Sequence, residues 1–220
     1  MTGTPSDRLT MPLGEAVFSM RAIRRYRPDP ISDADLRVML GAAIHAPNGG
    51  NAQPWRFLVL RDPELRARFA PLYREAWWAK RKDEGINGPE DLPSKYPAGL
   101  PAMRLADEEI GKAPVIVLVC ATARGAGPMA SVIPSVENLL LAARALGIGG
   151  TITTLHPAVE ERVHALLGIP STAQIVYCLP LGYPRGRFGP TTRKPLAEVC
   201  AYDRWDGTVP WGRGAVETVA

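Results

Sequence analysis

The sequence has little of the material from which common catalytic centres are built. Among 220 residues there are three histidines and three cysteines, and their spacings match no metal-binding motif, so no metal site is expected. The serine-hydrolase motif G-x-S-x-G, the zinc motif H-E-x-x-H, the P-loop and the dinucleotide fingerprint G-x-G-x-x-G are all missing. This lack of a nucleophile or metal set favours a cofactor that brings its own chemistry.

Long apolar runs are missing as well. The most apolar stretch, residues 115–121, is too short to cross a bilayer, and no secretory signal is visible at the N terminus. Cys120, Cys178 and Cys200 are too widely spaced to suggest a disulfide framework or a zinc site. We therefore expect a cytoplasmic protein without a membrane partner.

The charge balance is only mildly basic, with a formal net charge of +4. Much of the excess lies in two local arginine clusters, at 20–27 and 185–194. A surface that binds nucleic acid usually carries a longer basic face with interleaved aromatic residues. The sequence thus argues against a nucleic-acid partner, and two compact arginine clusters suit a small phosphorylated ligand better.

Composition and periodicity indicate one ordinary globular domain. Hydrophobic residues make up 46% and charged residues 22% of the chain, and helical and strand-like patterns alternate, which predicts an α+β sandwich. Strands are predicted at 57–60, 115–120 and 174–181, and helices at 13–20, 63–81, 131–146 and 157–167. We expect a flexible N terminus at 1–10, a single domain at 11–200 and a C-terminal tail at 201–220.

Two segments carry a specific combination of residues. Residues 22–30 read Ala-Ile-Arg-Arg-Tyr-Arg-Pro-Asp-Pro, and residues 46–57 read Ala-Pro-Asn-Gly-Gly-Asn-Ala-Gln-Pro-Trp-Arg-Phe. Together they resemble the nitroreductase family of flavin enzymes. Further stretches at 138–147, 148–154 and 181–184 together with 192–196 agree with that family in order and spacing.

The resemblance implies a fold and a function. The fold is a central, mostly antiparallel sheet flanked by helices in an intertwined homodimer, with a variable lid at about 64–110. The function is that of an FMN-dependent oxidoreductase, which takes hydride from NAD(P)H and reduces a small acceptor such as a nitroaromatic or a quinone by a ping-pong mechanism. An alternative of another class is a flavin-binding or flavin-sequestering protein of the same fold with little turnover.

The resemblance also assigns site residues. Arg21 and Arg193 match contacts to the phosphate and ribityl chain, where a planar guanidinium suits an anion. Arg24 matches the residue at the flavin N1–C2=O edge, where a cation eases reduction, and the backbone N–H of Thr154 matches the donor to flavin N5. The complete set that the resemblance implies is Arg21, Ala22, Arg24, Arg25, Pro47, Asn48, Asn51, Gln53, Ile152, Thr153, Thr154 and Arg193.

The chain departs from the family pattern at several positions. Ala22 replaces the serine usually found after the first arginine, and Met20 and Thr191 stand where some members have basic residues. These changes predict weaker FMN retention. The acidic residue of the benzimidazole-forming branch is absent at position 22, and the Glu-x-x-x-Tyr pattern of the deiodinases is not matched at 75–79, so both of these activities are disfavoured.

The region expected to form the lid contains several large side chains. Trp77, Trp78, Tyr96 and Met103 offer an aromatic wall over a flavin, but packing in a dimer interface is an equal alternative for the two tryptophans.

Overall fold

The computed structural model describes residues 5–92, 96 and 99–211. The expected N-terminal segment, lid and tail lie partly outside these ranges. The sheet has four strands in the order β1-β2-β4-β3, and every neighbouring pair is antiparallel. The strands are β1 (Trp55–Leu60), β2 (Val115–Ala121), β3 (Gly149–Gly150) and β4 (Gln174–Gly182).

Helices cover both faces of this sheet. They are α1 (Leu13–Ser19), α2 (Asp33–Ile44), α3 (Pro63–Asp83), α4 (Gly99–Arg104), α5 (Ala126–Ala145), α6 (Glu160–Leu167) and α7 (Leu196–Val199). The expected α+β sandwich with an antiparallel sheet is confirmed. No helix in the described ranges is long and apolar enough to span a membrane.

Strand β2 separates two hydrophobic cores. All seven of its residues are buried, since it pairs with β1 on one side and β4 on the other. Because side chains alternate along a strand, Ile116, Leu118 and Cys120 belong to one core. Val117 and Val119 belong to the other. The continuous apolar run therefore serves both faces, which explains why it shows no polar alternation.

Helices α2 and α5 cover one face of the sheet. The side-chain amide of Asn138 donates a 3.2 Å hydrogen bond to the Ala42 carbonyl, which ties the two helices together. Helix α5 begins five residues before the predicted start at Ser131, so Pro134 lies inside it rather than in its first turn. Proline cannot donate to the carbonyl four residues earlier, which here belongs to Ala130, an exposed residue whose carbonyl water can reach.

Helix α3 covers the opposite face. Asp62 caps it by accepting a 2.8 Å hydrogen bond from the Leu65 N–H, and the helix continues through Pro71 without a break. Its inward stripe is Phe69, Tyr73, Ala76 and Trp77, all buried. The start of the expected lid is thus bound to the core by one continuous helix.

Candidate functional site

The arginine segment and the glycine turn lie side by side. The Ile23 N–H donates a 2.9 Å hydrogen bond to the Gly150 carbonyl. Contact is so close that a Cβ on Gly149 would stand 2.5 Å from the Ile23 side chain, which explains the glycine there. The structure therefore brings residues 21–25 against the start of the 149–154 turn.

The other end of the arginine segment is fixed to the end of β4. Tyr26 forms a β-bridge with Pro184, and the Arg185 N–H donates to the Arg25 carbonyl at 3.1 Å. The buried Tyr26 hydroxyl bonds to the carbonyls of Ile23 and Pro180, at 2.6 and 3.0 Å. With Ile23 and Tyr26 anchored inside, the intervening arginines are presented by a rigid backbone.

Within the described part of the chain, the arginines of this segment have no carboxylate partner. Arg21 and Arg25 are exposed, and Arg24 is half-buried. None of the three pairs with a carboxylate anywhere in the described ranges. Burying a cation without a partner is costly, so the half-buried Arg24 in particular indicates a site that receives an acceptor-rich or anionic ligand. The donor set fits the phosphate and the carbonyl edge of FMN.

The turn after β3 is anchored by Thr153. Its backbone exchanges hydrogen bonds with Cys178, at 3.1 and 2.8 Å, and its hydroxyl also donates to the Cys178 carbonyl at 2.8 Å. The next N–H, that of Thr154, has no acceptor among the residues that the structure describes. Ile152 and Thr154 are exposed. A free backbone donor on a fixed turn is the kind of group that stabilises charge on a ligand.

Two residues behind this turn were missed by the sequence reasoning. Tyr73 is buried behind this turn. Burial raises the pKa of Tyr73, and the Thr153 side chain and the nearby charge of Arg24 oppose that rise. The Lys80 ammonium donates to the carbonyl of Thr154 at 3.0 Å and also contacts its hydroxyl. The signal was present: Lys80 continues the inward stripe of α3 at the spacing that follows Tyr73 and Trp77.

The loop at 47–53 has a strained, specific conformation. Asn51 and Gln53 have positive φ angles of 53° and 48°, and Gly50 has one of 58°. The Asn48 side-chain oxygen accepts a 2.8 Å hydrogen bond from the Gln53 N–H, so this amide closes the loop. Positive φ at non-glycine residues is uncommon and concentrates at functional sites. Pro47, Asn51 and Gln53 are exposed.

This loop does not join the other site residues within one chain. The Gly49 N–H donates to the Ser131 hydroxyl at 3.3 Å, near the start of α5, whereas the 149–154 turn follows the end of that helix. From Ser131 to Ala145 an α-helix rises about 20 Å. The sheet shows the same separation between the loop and the turn. Pro54, which follows the loop, accepts a hydrogen bond from the Thr122 N–H just beyond one end of β2. Strand β3, which leads into the turn, lies near Val115 at the other end of β2.

Arg193 lies on the segment that closes the chain back over α1. The Gly189 N–H donates to the Ser19 carbonyl at 3.0 Å, and the Phe188 ring packs 4.3 Å from the Arg144 guanidinium. The segment that precedes Arg193 therefore lies next to Ser19, two residues before Arg21. Arg193 is exposed, and its guanidinium donates to the Thr192 carbonyl at 3.0 Å.

The large lid side chains serve the chain's own core. Trp77 is 8% exposed and lies in the hydrophobic core, with its ring 5.2 Å from the Arg81 guanidinium. Trp78 donates to Asp107 at 3.1 Å. The Arg81 guanidinium also lies over the Tyr96 ring at 4.9 Å. For Trp77, neither a wall over a ligand nor an intersubunit position is needed to explain the aromatic residue.

Fold and site together define an α+β protein in which a segment rich in arginine lies against a backbone turn beside an antiparallel sheet. The model of the nitroreductase family matches residues 18–183. The chain belongs to the nitroreductase family.

Its relatives cover several activities. The chain is 33% identical over 201 residues to an NADH dehydrogenase of Thermus thermophilus, covering 84% of this chain and 92% of the relative. It is 31% identical over 185 residues to a 5,6-dimethylbenzimidazole synthase of Rhodospirillum rubrum, covering 78% and 82%. A solved iodotyrosine deiodinase bound to FMN and 3-iodo-L-tyrosine superposes with a TM-score of 0.69 at 27% identity, over 83% of this chain and 95% of that one.

Proposed function

We propose that the protein is an FMN-dependent oxidoreductase that takes hydride from NAD(P)H and passes electrons to a small acceptor such as a nitroaromatic or a quinone. The observation that carries this proposal is that the Ile23–Gly150 hydrogen bond joins the segment of Arg24 to the turn of Thr154. Among the described residues, the half-buried Arg24 has no carboxylate partner and the Thr154 N–H has no acceptor. One group supplies positive charge and the other a fixed donor, which are the two features that a ring gaining negative charge requires. Bound FMN would supply the hydride-accepting ring.

The chain's own residues divide the work of holding FMN. Arg21, Arg25 and Arg193 would bind the phosphate through charge-assisted hydrogen bonds. Arg24 would face the N1–C2=O edge, and Thr154 would donate to N5. Because Tyr26 and Thr153 fix both backbones from the buried side, these donors keep their positions with little loss of entropy when the ligand arrives.

The proposal includes a homodimer in which each site is built from two chains. In one chain, the 47–53 loop and the arginine segment lie about 20 Å apart along α5. The loop of a second copy is therefore needed to bring all the residues that we propose contact FMN into one site. Large apolar side chains also remain exposed on α1 and on the neighbouring helices, as an interface requires. These are Leu13, Val17, Phe18, Ile44 and Ile133, with exposures of 71%, 46%, 48%, 48% and 41%.

Two features favour the alternative of a flavin-binding protein with little turnover. Ala22 offers no hydroxyl to the phosphate, and the Asn48 oxygen is occupied by the Gln53 N–H. A missing phosphate contact at Ala22, and an Asn48 oxygen with one lone pair already used, would each weaken cofactor retention. The benzimidazole-forming and deiodinating activities of the relatives stay disfavoured, because position 22 is alanine and Glu75 is held by Arg162 at 2.5 Å. A cytoplasmic location fits the three free cysteines.

The test is spectroscopic. The protein purified with FMN should show flavin absorption bands, and anaerobic NADH or NADPH should bleach them, with colour restored stoichiometrically by a nitroaromatic or a quinone. Flavin bands that neither nicotinamide bleaches would support the sequestering alternative. A colourless protein that does not bind added FMN would overturn both proposals.

A further inference from the structure

Lys80 is the one cation of helix α3 that the described structure places directly on the proposed flavin turn. It extends the inward stripe of the helix, eleven residues after Phe69 and seven after Tyr73, and its side chain is half-buried. Its ammonium donates to the Thr154 carbonyl at 3.0 Å and contacts the Thr154 hydroxyl. Two oxygens of Thr154 thus hold the long, flexible side chain of Lys80 in one position.

The acidic residues near Lys80 are engaged elsewhere. Glu84 pairs with Arg81 at 2.8 Å, and Asp83 pairs with His156 at 2.9 Å. Among the described residues, no carboxylate lies within ion-pair distance of the Lys80 ammonium. Its positive charge is therefore not neutralised locally and acts on whatever binds at Thr154.

The surroundings of the ammonium add to this effect. Burial is the main cause that lowers the pKa of Lys80, the neighbouring Arg81 lowers it further, and Glu84 opposes both. A partly desolvated charge is screened less by water than an exposed one. The charge therefore reaches further than that of a surface lysine.

We propose that Lys80 is a positioning residue of the flavin site, which fixes the Thr154 turn and places a positive charge beside the N5 side of the ring. This inference rests on the proposed function. Arg24 would supply charge at one edge of the ring and Lys80 at the opposite edge, so reduction is favoured from both sides. The geometry also couples helix α3, the start of the expected lid, to the turn that carries the proposed N5 donor.

The inference is tested on the FMN-loaded protein by the flavin midpoint potential, which needs no turnover. Lys80→Met removes charge and donor, Lys80→Gln removes only the charge, and Lys80→Arg keeps both. Lys82→Met is the matched control, because Lys82 is exposed two residues further along the same helix. We expect Lys80→Met and Lys80→Gln to lower the equilibrium constant for reduction about tenfold, a fall of about 30 mV for a two-electron couple.

The controls separate charge from packing. Lys80→Arg and Lys82→Met should keep the wild-type potential. Unchanged potentials in both Lys80→Met and Lys80→Gln, with only the melting temperature altered, would overturn the inference while leaving the proposed function intact. If Lys80→Met does not fold, Lys80→Gln decides alone. A wild-type protein that binds no FMN would instead remove the proposed function itself.

Discussion

The backbone N–H of Ile23 donates a hydrogen bond to the carbonyl of Gly150 at 2.9 Å. This bond joins the arginine segment to the glycine turn, two stretches more than a hundred residues apart in the chain. It depends on Gly149, because any side chain there would collide with Ile23. Main-chain geometry thus brings together two groups of residues that we propose contact FMN: the arginine side chains of one segment and the Thr154 N–H of the other.

Replacing Arg193 with alanine should release FMN without unfolding the protein. Losing one charge-assisted contact to a phosphate costs about 1.5–3 kcal/mol, which is roughly 10- to 150-fold in affinity. The side chain is exposed and bonds only to its neighbour's carbonyl within the described structure, so the melting temperature of the FMN-free protein should not change. Fluorescence titration with FMN measures the affinity.

An exposed arginine on α3, Arg68, provides the control for that experiment. Arg68→Ala removes the same charge at a position outside the proposed site. Equal FMN affinities for Arg193→Ala and the wild type would show that Arg193 does not bind the phosphate.

Replacing Arg24 with glutamine should lower the flavin midpoint potential. Glutamine keeps a hydrogen-bond donor but deletes a charge worth about 1–2 kcal/mol at an effective dielectric constant near 20. For a two-electron couple this corresponds to roughly 20–45 mV. Anaerobic reductive titration measures the shift. Arg25→Gln is the adjacent control and should weaken FMN binding with little effect on the potential; the reverse pattern would exchange the two assignments.

Local signals predicted much of the fold. Ser32 accepts the Asp35 N–H at 3.0 Å, as the spacing of a capping box indicates. The apolar run at 115–121 forms the central strand because a strand buried on both faces needs no polar residues. Gly168 ends α6 with φ of 64°, a conformation that glycine adopts without strain.

Features set by tertiary contacts were not predictable in the same way. Pro134 lies inside α5 because packing of the helix outweighs one missing hydrogen bond. Trp77 packs in the chain's own core, whereas the sequence suggested a wall over the flavin or a dimer interface. The spacing of α3 indicates that Lys80 faces inward, but its partner Thr154 lies 74 positions away, and no local pattern identifies that partner.

The cysteines should differ sharply in reactivity. Burial raises the pKa of the Cys120 thiol to about 11 and that of Cys178 to about 12, from an ordinary value of 9.0. Cys200 is only partly buried. With a chromogenic disulfide reagent at pH 8, we expect one reactive thiol in the native protein and three after unfolding. Cys200→Ala should abolish the native reaction; a second fast thiol in the native protein would contradict the buried placement.

The same two buried thiols predict a loss of stability in alkali. The unfolded chain releases these protons above pH 9 while the native protein keeps them, so the free energy of unfolding falls as pH rises through this range. Between pH 9 and 10 the loss should be about 1 kcal/mol for each thiol. Urea unfolding at several pH values measures it. A flat profile between pH 8 and 10 would show that the two thiols ionise as readily in the folded protein.

The proposal that each site is built from two chains can be tested by combining two defective variants. Arg193→Ala would damage the part of the site formed by the arginine segment and its neighbours, and Gln53→Glu would damage the loop expected from the second copy. In a heterodimer of the two, one site carries both changes and the other carries neither. Heterodimers isolated with two different affinity tags should therefore bind about half of the FMN that wild-type dimers bind.

Arg193→Ala combined with Arg21→Ala supplies the control, because both changes affect the same half and every site stays damaged. If the Arg193→Ala and Gln53→Glu pair restores no more FMN than this control, each site lies within a single chain, and the loop at 47–53 does not contact FMN across the interface.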